Sequence, residues 1–199
     1  MFLKELTNRV ERTLDVVGML ASQTLGGGGA TPDALQALLS GLDALRKANG
    51  LLVESDCRGV SVDAIARKLL STHGAEFLDA AQIAGPPVLA LPRVAMPLAL
   101  ALQALAQTAA RHSTQGRKNA RVNVSWQTRT MENGAQLLEF KWTERDGGVT
   151  PDYADANPVL SIVEQAVAGS SVRTGCEADA FQCSIALPLS TGGVSAAAP

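Results

Sequence analysis

The chain has 199 residues, 46% of them hydrophobic, and a formal net charge of −2, which is enough for one domain or two small ones around a packed core. The near-neutral balance offers no excess of Lys and Arg to neutralise phosphates, so nucleic acid is not an expected partner. The opening Met1-Phe2-Leu3-Lys4-Glu5 lacks the basic-then-apolar order of a secretory signal. The most apolar stretch, 94–110, carries Pro97, Gln103, Gln107 and Thr108 and is too short and too polar at one end to span a bilayer. A cytoplasmic protein without a membrane segment is the expectation.

Leu3, Leu6, Val10, Val17 and Leu20 fall at a and d spacing, with Thr13 at the weak position, which predicts a seamed helix. Gly26 to Gly29 ends it, because four glycines cannot continue a helix cheaply; no Lys-Ser or Lys-Thr follows to make them a phosphate loop. Thr31-Pro32 starts a second helix, with Thr31 as N-cap and Pro32 at the first helical position. Leu35, Leu38, Leu42, Leu45 and Leu52 repeat the a and d spacing, with polar Asn49 on the same stripe. Two seamed helices on a short loop form an antiparallel hairpin that buries too little alone, so a homodimeric four-helix bundle through residues 3–52 is expected.

After about residue 54 the texture changes. Ser61 caps a helix over 62–70, and 77–84 and 88–91 read as short strands around Gly85-Pro86-Pro87. Pro92 opens a nearly all-apolar helix through Ala110, which must be buried against a sheet. Residues 121–130 and 136–144 alternate as two strands, with Trp126 and Trp142 at strand spacing expected in the core, joined by an Asn133-Gly134 hairpin turn. A loop over 146–157, a helix over 158–168 and a strand pair over 172–177 and 181–187 complete the series. The fold class is therefore α+β: a helical hairpin over 1–54, an α/β sandwich with a mixed sheet over 55–189, and a small, polar, disordered tail over 190–199. Cys57, Cys176 and Cys183 are odd in number and widely spaced, which suits a reducing compartment. Cys176 and Cys183 have no second ligand pair nearby, so no metal is expected.

This order of elements is similar to the histidine-kinase transmitter module, and the wording resembles its HWE branch from Glu5 to about Leu189. Glu5-Leu6-Thr7-Asn8-Arg9-Val10-Glu11-Arg12-Thr13-Leu14 resembles the family's opening Glu-Leu-x-His-Arg-Val-Lys-Asn-x-Leu. Ala48-Asn49-Gly50-Leu51-Leu52, Gly85-Pro86-Pro87-Val88, Val124-Ser125-Trp126, Trp142-Thr143-Glu144 and Ile185-Ala186-Leu187-Pro188-Leu189 follow in the family's order. The resemblance implies a dimerisation hairpin followed by an ATPase-like sandwich.

The departures fall on the chemistry the resemblance implies. Asn8 stands where the phosphorylated His would be, and an amide lacks the nucleophilic lone pair of imidazole. Gln103-Ala104-Leu105-Ala106-Gln107-Thr108-Ala109 stands for His-Glu-Leu-x-Thr-Asn-Ala, so Ala104 loses the carboxylate and Thr108 replaces the magnesium-holding Asn. Asn157-Pro158-Val159-Leu160 replaces Gly-Phe-Gly-Ser, whose glycines admit phosphates. Glu144 and Gly147 keep the places of an adenine-contacting acid and a loop glycine.

The expectation drawn from these departures is a dimeric pseudokinase, not an enzyme and without a cofactor. It would be an adaptor holding a response regulator receiver domain or a kinase partner through Arg9, Glu11, Arg12 and Asp15 around Asn8. Two alternatives stay open. One is a divergent kinase or phosphotransfer protein using His73 or His112, each of which otherwise reads as a cation at a helix C-terminus. The other is a small-ligand module, in which Thr108 and Val159 make the former nucleotide cleft less polar.

Overall fold

The computed structural model describes residues 13–22, 25, 31–55, 59–114, 121–145, 153, 156–177 and 180–189. Asn8, Arg9, Glu11, Arg12, the Gly26 to Gly29 turn, Cys57, Gly147 and the tail over 190–199 lie outside the described residues.

Residues 13–22 are helical (α1). The second helix, α2, runs Pro32–Glu54 and starts as its sequence dictates: the Thr31 hydroxyl accepts the Ala34 N–H at 3.2 Å, and proline sits in the first turn. The two helices approach closely at Gly41, where a Cβ would lie 2.5 Å from a Leu20 methyl. The α2 stripe is not used evenly. Ala44, Leu45, Ala48 and Leu52 are buried, Leu38 and Leu42 half-buried, and Leu35 and Asn49 exposed. The buried end faces inward because α2 packs on α3 (Val62–Leu70) and on α5 (Pro92–Thr114), and one continuous core joins them.

Ser61 precedes α3, but its side chain makes no cap; the Val62 N–H instead donates to the Val88 carbonyl at 3.0 Å. A short strand pair, β1 (Val60–Ser61) with β3 (Leu89–Ala90), ties this entrance to the start of α5. The expected strand over 77–84 is corrected by the structure. A 3₁₀ turn, Ser71–His73, leads through Gly74 (φ 106°) into α4 (Ala75–Ala80), and only β2 (Gln82–Ala84) is extended. A residue at positive φ resets the chain direction, and the helix formers Ala75 and Glu76 follow it directly.

The sheet has the order β2-β4-β5-β7-β6, with β4 Arg121–Thr130, β5 Gln136–Arg145, β6 Ser171–Glu177 and β7 Ala180–Pro188. β2 runs parallel to β4 and the other pairs are antiparallel, so the sheet is mixed. Register aligns Val124 with Trp142 and Cys183, and Trp126 with Phe140 and Ile185, on the buried face. The opposite face is polar; one row across four strands reads Ser125, Lys141, Ser184, Arg173. The β4–β5 turn forms where expected: Gly134 takes φ 77°, and the Ala135 N–H donates to Asn133 Oδ1. The last helix, α6 (Asn157–Ala166), packs on α5 and β6 and buries Val159, Leu160, Ile162 and Val163. Among the described residues, no helix is long and apolar enough to cross a membrane.

Gly85 shows why the Gly-Pro-Pro segment starts as it does. A Cβ there would lie 2.3 Å from the Trp126 ring, whose Nε1 donates to the Pro86 carbonyl at 2.8 Å. Trp126 also lies parallel to Phe140, with ring centroids 6.4 Å apart. Gly85→Ala is expected to cost about 1–3 kcal/mol by overpacking, read as a lower urea midpoint.

Candidate functional site

Two polar clusters stand out, one buried in the core and one at its margin. The first lies at the end of β5. Strand alternation carries Trp142 and Glu144 to the buried face, and both are fully buried. A buried carboxylate needs donors, and Tyr153 supplies one: its hydroxyl donates to Glu144 Oε2 and accepts from Trp142 Nε1 at 3.2 Å. The Tyr153 ring stacks on Phe181, with centroids 3.7 Å apart and planes 8° apart. Burial, followed by the charge and hydrogen bond of Glu144, holds the Tyr153 phenol far above its usual value, so it stays protonated as the donor. Sequence reasoning assigned Glu144 but missed its partner. The available signal was that Tyr153 is the only tyrosine of the chain, set in a Gly-, Pro- and Asp-rich stretch.

The second cluster lies where α2 meets α5. Gln103 of α5 is 8% exposed; its Nε2 is 3.5 Å from His73 Nε2, while its Oε1 is buried without a partner among the described residues. His73 also packs against Phe77, with ring centroids 5.7 Å apart. On α2, Lys47 and Arg46 both pair with Asp43, and those hydrogen bonds hold the Asp43 carboxyl below its usual value. Burial, and then the Lys47 charge, push the His73 pKa down from 6.5. The reading of His73 as a favourable C-terminal cation is therefore corrected, because desolvation disfavours the charged ring.

Below pH 6.5 the unfolded chain binds a proton at His73 that the folded chain resists, so stability rises with pH in that window. The contribution is complete above 6.5 and is lost as pH falls through the lower folded value. Asp43 acts in a separate window, below 3.8. Urea midpoints are expected to fall between about pH 7.5 and pH 5.5, and His73→Gln is expected to flatten that slope; an unchanged slope would remove His73 as its source.

The remaining expected site residues are spread out. Asp15 is exposed on α1. Ala104 is half-buried and Thr108 buried on α5, while Asn157 is exposed and Val159 buried at the start of α6. Thr108 Oγ1 donates to the carbonyl of Ala104 at 3.0 Å and accepts from Arg111 at 3.4 Å. A hydroxyl engaged along its own helix and a buried valine do not fit magnesium, and no phosphoryl-transfer step is assigned to them. His112 belongs to α5, with its side chain outside the described residues. The described residues hold no group of three or more His, Cys, Asp or Glu arranged for a metal.

With this geometry in place, comparison with known proteins gives a consistent result. Residues 5–87 match the sequence profile of the HWE histidine kinase family. The chain is 26% identical over 145 residues to a blue-light-activated histidine kinase of Brucella anthropi, covering 73% of this chain and 29% of that protein. It is 24% identical over 144 residues to the protein of the same name from Brucella ovis. The chain thus spans about 29% of the length of these relatives. Among solved structures, the blue-light activated histidine kinase of Erythrobacter litoralis superposes with a TM-score of 0.60 at 18% identity, over 92% of this chain and 59% of that one. The histidine kinase domain of that protein gives 0.51 at 15% identity, over 90% and 94%.

These findings overturn the expectation that the chain is not an enzyme. The proteins it is homologous to are named histidine kinases, which are enzymes. Substitution at Ala104, Thr108 and Asn157 changes which contacts those positions make and does not establish a loss of activity; Asn8 lies outside the described residues. Over residues 5–87 the chain is similar to the HWE histidine kinases, and its α+β fold is that of a histidine-kinase domain.

Proposed function

We propose that the chain acts in two-component signalling as a dimeric regulator, with residues 1–54 as dimerising and docking segment and 55–189 as ATPase-like segment. Its partner is a response regulator receiver domain or a kinase protein, held through Arg9, Glu11, Arg12 and Asp15 around Asn8. The observation that carries this reading is the unequal stripe of the hairpin. Its buried end is held by α5, whereas Leu35 at the other end is 49% exposed, and Leu14 and Leu39, off the stripe on the same two helices, are 62% and 52% exposed. Exposed leucines on paired helices support an intermolecular bundle. The free thiols of Cys176 and Cys183 support a reducing, cytoplasmic setting.

Two measurements test the parts separately. Leu35→Asp with Leu39→Asp is expected to halve the mass read by light scattering; an unchanged mass counts against hairpin pairing. Titration with purified receiver domains is expected to show binding that Arg9→Glu with Arg12→Glu weakens by about tenfold or more. A panel of receiver domains and kinases with no binder would overturn the docking reading.

A second reading is phosphoryl transfer through His73. It is favoured by the placement of His73, half-buried against Phe77 and beside Gln103, which orients one ring nitrogen and leaves a neutral imidazole the lone pair a phosphoryl acceptor needs. Incubation with a phosphorylated receiver domain would place label on the chain and lose it in His73→Gln. Label that persists in the variant, or no label at all, excludes this reading.

A further inference from the structure

We infer that the open edge of β6 is a pairing surface for a second copy of this chain. Among the described residues β6 ends the sheet, and Arg173 to Glu177 are all exposed. An unpaired strand edge is a template for another strand, and folds commonly blunt it with lysine, proline or a bulge. β6 has no proline and no bulge over its exposed residues, and its two charged side chains, Arg173 and Glu177, are opposite in sign and so do not repel a second copy in every register; its register with β7 is unbroken from Ser171 to Glu177.

The direction of the free backbone groups follows from one hydrogen bond. The Val172 N–H donates to Glu164 Oε1 on α6 at 2.7 Å, so Val172 faces away from β7. Strand period two then puts the free N–H and C=O of Thr174 and Cys176 on the same open side. An antiparallel copy centred on Gly175 sets Thr174 opposite the copy's Cys176, and each such pair exchanges both N–H and C=O bonds. Two-fold symmetry doubles this to four backbone hydrogen bonds.

The side chains select this register. Centred on Gly175, Arg173 falls opposite the copy's Glu177, and Glu177 opposite the copy's Arg173. These are non-hydrogen-bonded pairs, where side chains approach most closely and opposite charges attract. Arg173 has no ion-pair partner among the described residues, and Glu177 accepts only an exposed amide hydrogen bond from Gln182 at 3.0 Å. A shift of the centre to Thr174 or Cys176 breaks both charge pairs. Gly175, on the axis, has open space where a Cβ would be, so nothing there blocks the approach. Helix α6 lies by Val172, three residues from the axis, which sends its two copies to opposite ends of the joint.

The edge is short, so the pairing is weak by itself and depends on concentration. It is independent of hairpin pairing, and the Leu35→Asp, Leu39→Asp background separates the two. In that background, sedimentation equilibrium from about 10 µM to about 1 mM is expected to show a monomer passing to a dimer. Arg173→Glu alone, or Glu177→Arg alone, is expected to weaken the association about tenfold or more by setting like charges opposite each other. The double swap, Arg173→Glu with Glu177→Arg, is expected to restore it. In parallel, amide exchange at Thr174 and Cys176 is expected to slow with concentration in the background protein and not in the single swaps. A monomer throughout, or a double swap that behaves like the single ones, overturns the proposal whatever the hairpin does.

Discussion

Trp142→Ala is expected to lose about 3–5 kcal/mol of folding stability, read as the change in unfolding free energy from urea titration with the slope held in common. The site has every feature that makes truncation costly. Trp142 is fully buried in β5, the central strand of the five, between Val124 of β4 and Cys183 of β7. Removing the indole loses its transfer free energy and leaves a cavity that a close-packed sheet cannot refill. It also leaves the Tyr153 hydroxyl without the indole N–H donor. A domain typically holds only about 5–15 kcal/mol in total, so the variant should sit near its unfolding threshold at 37 °C. A loss below about 1 kcal/mol would fit a tryptophan lining an open ligand site better than one in the core.

Tyr153→Phe is the second large effect, about 1.5–3 kcal/mol, from a single oxygen atom. The ring stays stacked on Phe181, so the aromatic packing is kept. The hydroxyl takes with it a charge-assisted bond to buried Glu144 and the acceptor of the Trp142 N–H. Leaving buried polar groups short of partners costs more than the bonds contribute, which is why the isosteric change is severe. Tyr153→Phe with Glu144→Gln tests the coupling: a double variant less destabilised than the sum of the singles places the effect in the pair. If Tyr153→Phe loses under about 0.5 kcal/mol, the hydroxyl is not the donor on which Glu144 depends.

Much of the fold was legible in the order of residues. Alternation in 121–130 and 136–144 gave two strands and their buried faces, because the period of a strand is two and one face must leave water. Thr31-Pro32 marked the start of α2, and Asn133-Gly134 the hairpin, since caps and turns are decided by a few local atoms. The same locality carried the resemblance to the HWE histidine kinases, which the profile match over residues 5–87 bears out at the level of the family.

Only the tertiary structure decided the rest. The leucine stripe of α2 repeats evenly in sequence, yet packing on α5 buries Leu45 and Leu52 at one end and leaves Leu35 in water at the other. Gly74 turned an expected strand into α4, because a positive φ redirects the chain whatever its neighbours prefer. Glu144 read as a ligand-contacting acid, but its donor comes from Tyr153, nine residues away across a segment with no regular pattern. His73 read as a cation and is driven toward the neutral form by burial and by Lys47, which comes from a different helix. Local patterns fix which elements form and which face is apolar. What a buried polar group touches is set by long-range packing, and no periodicity in the chain records it.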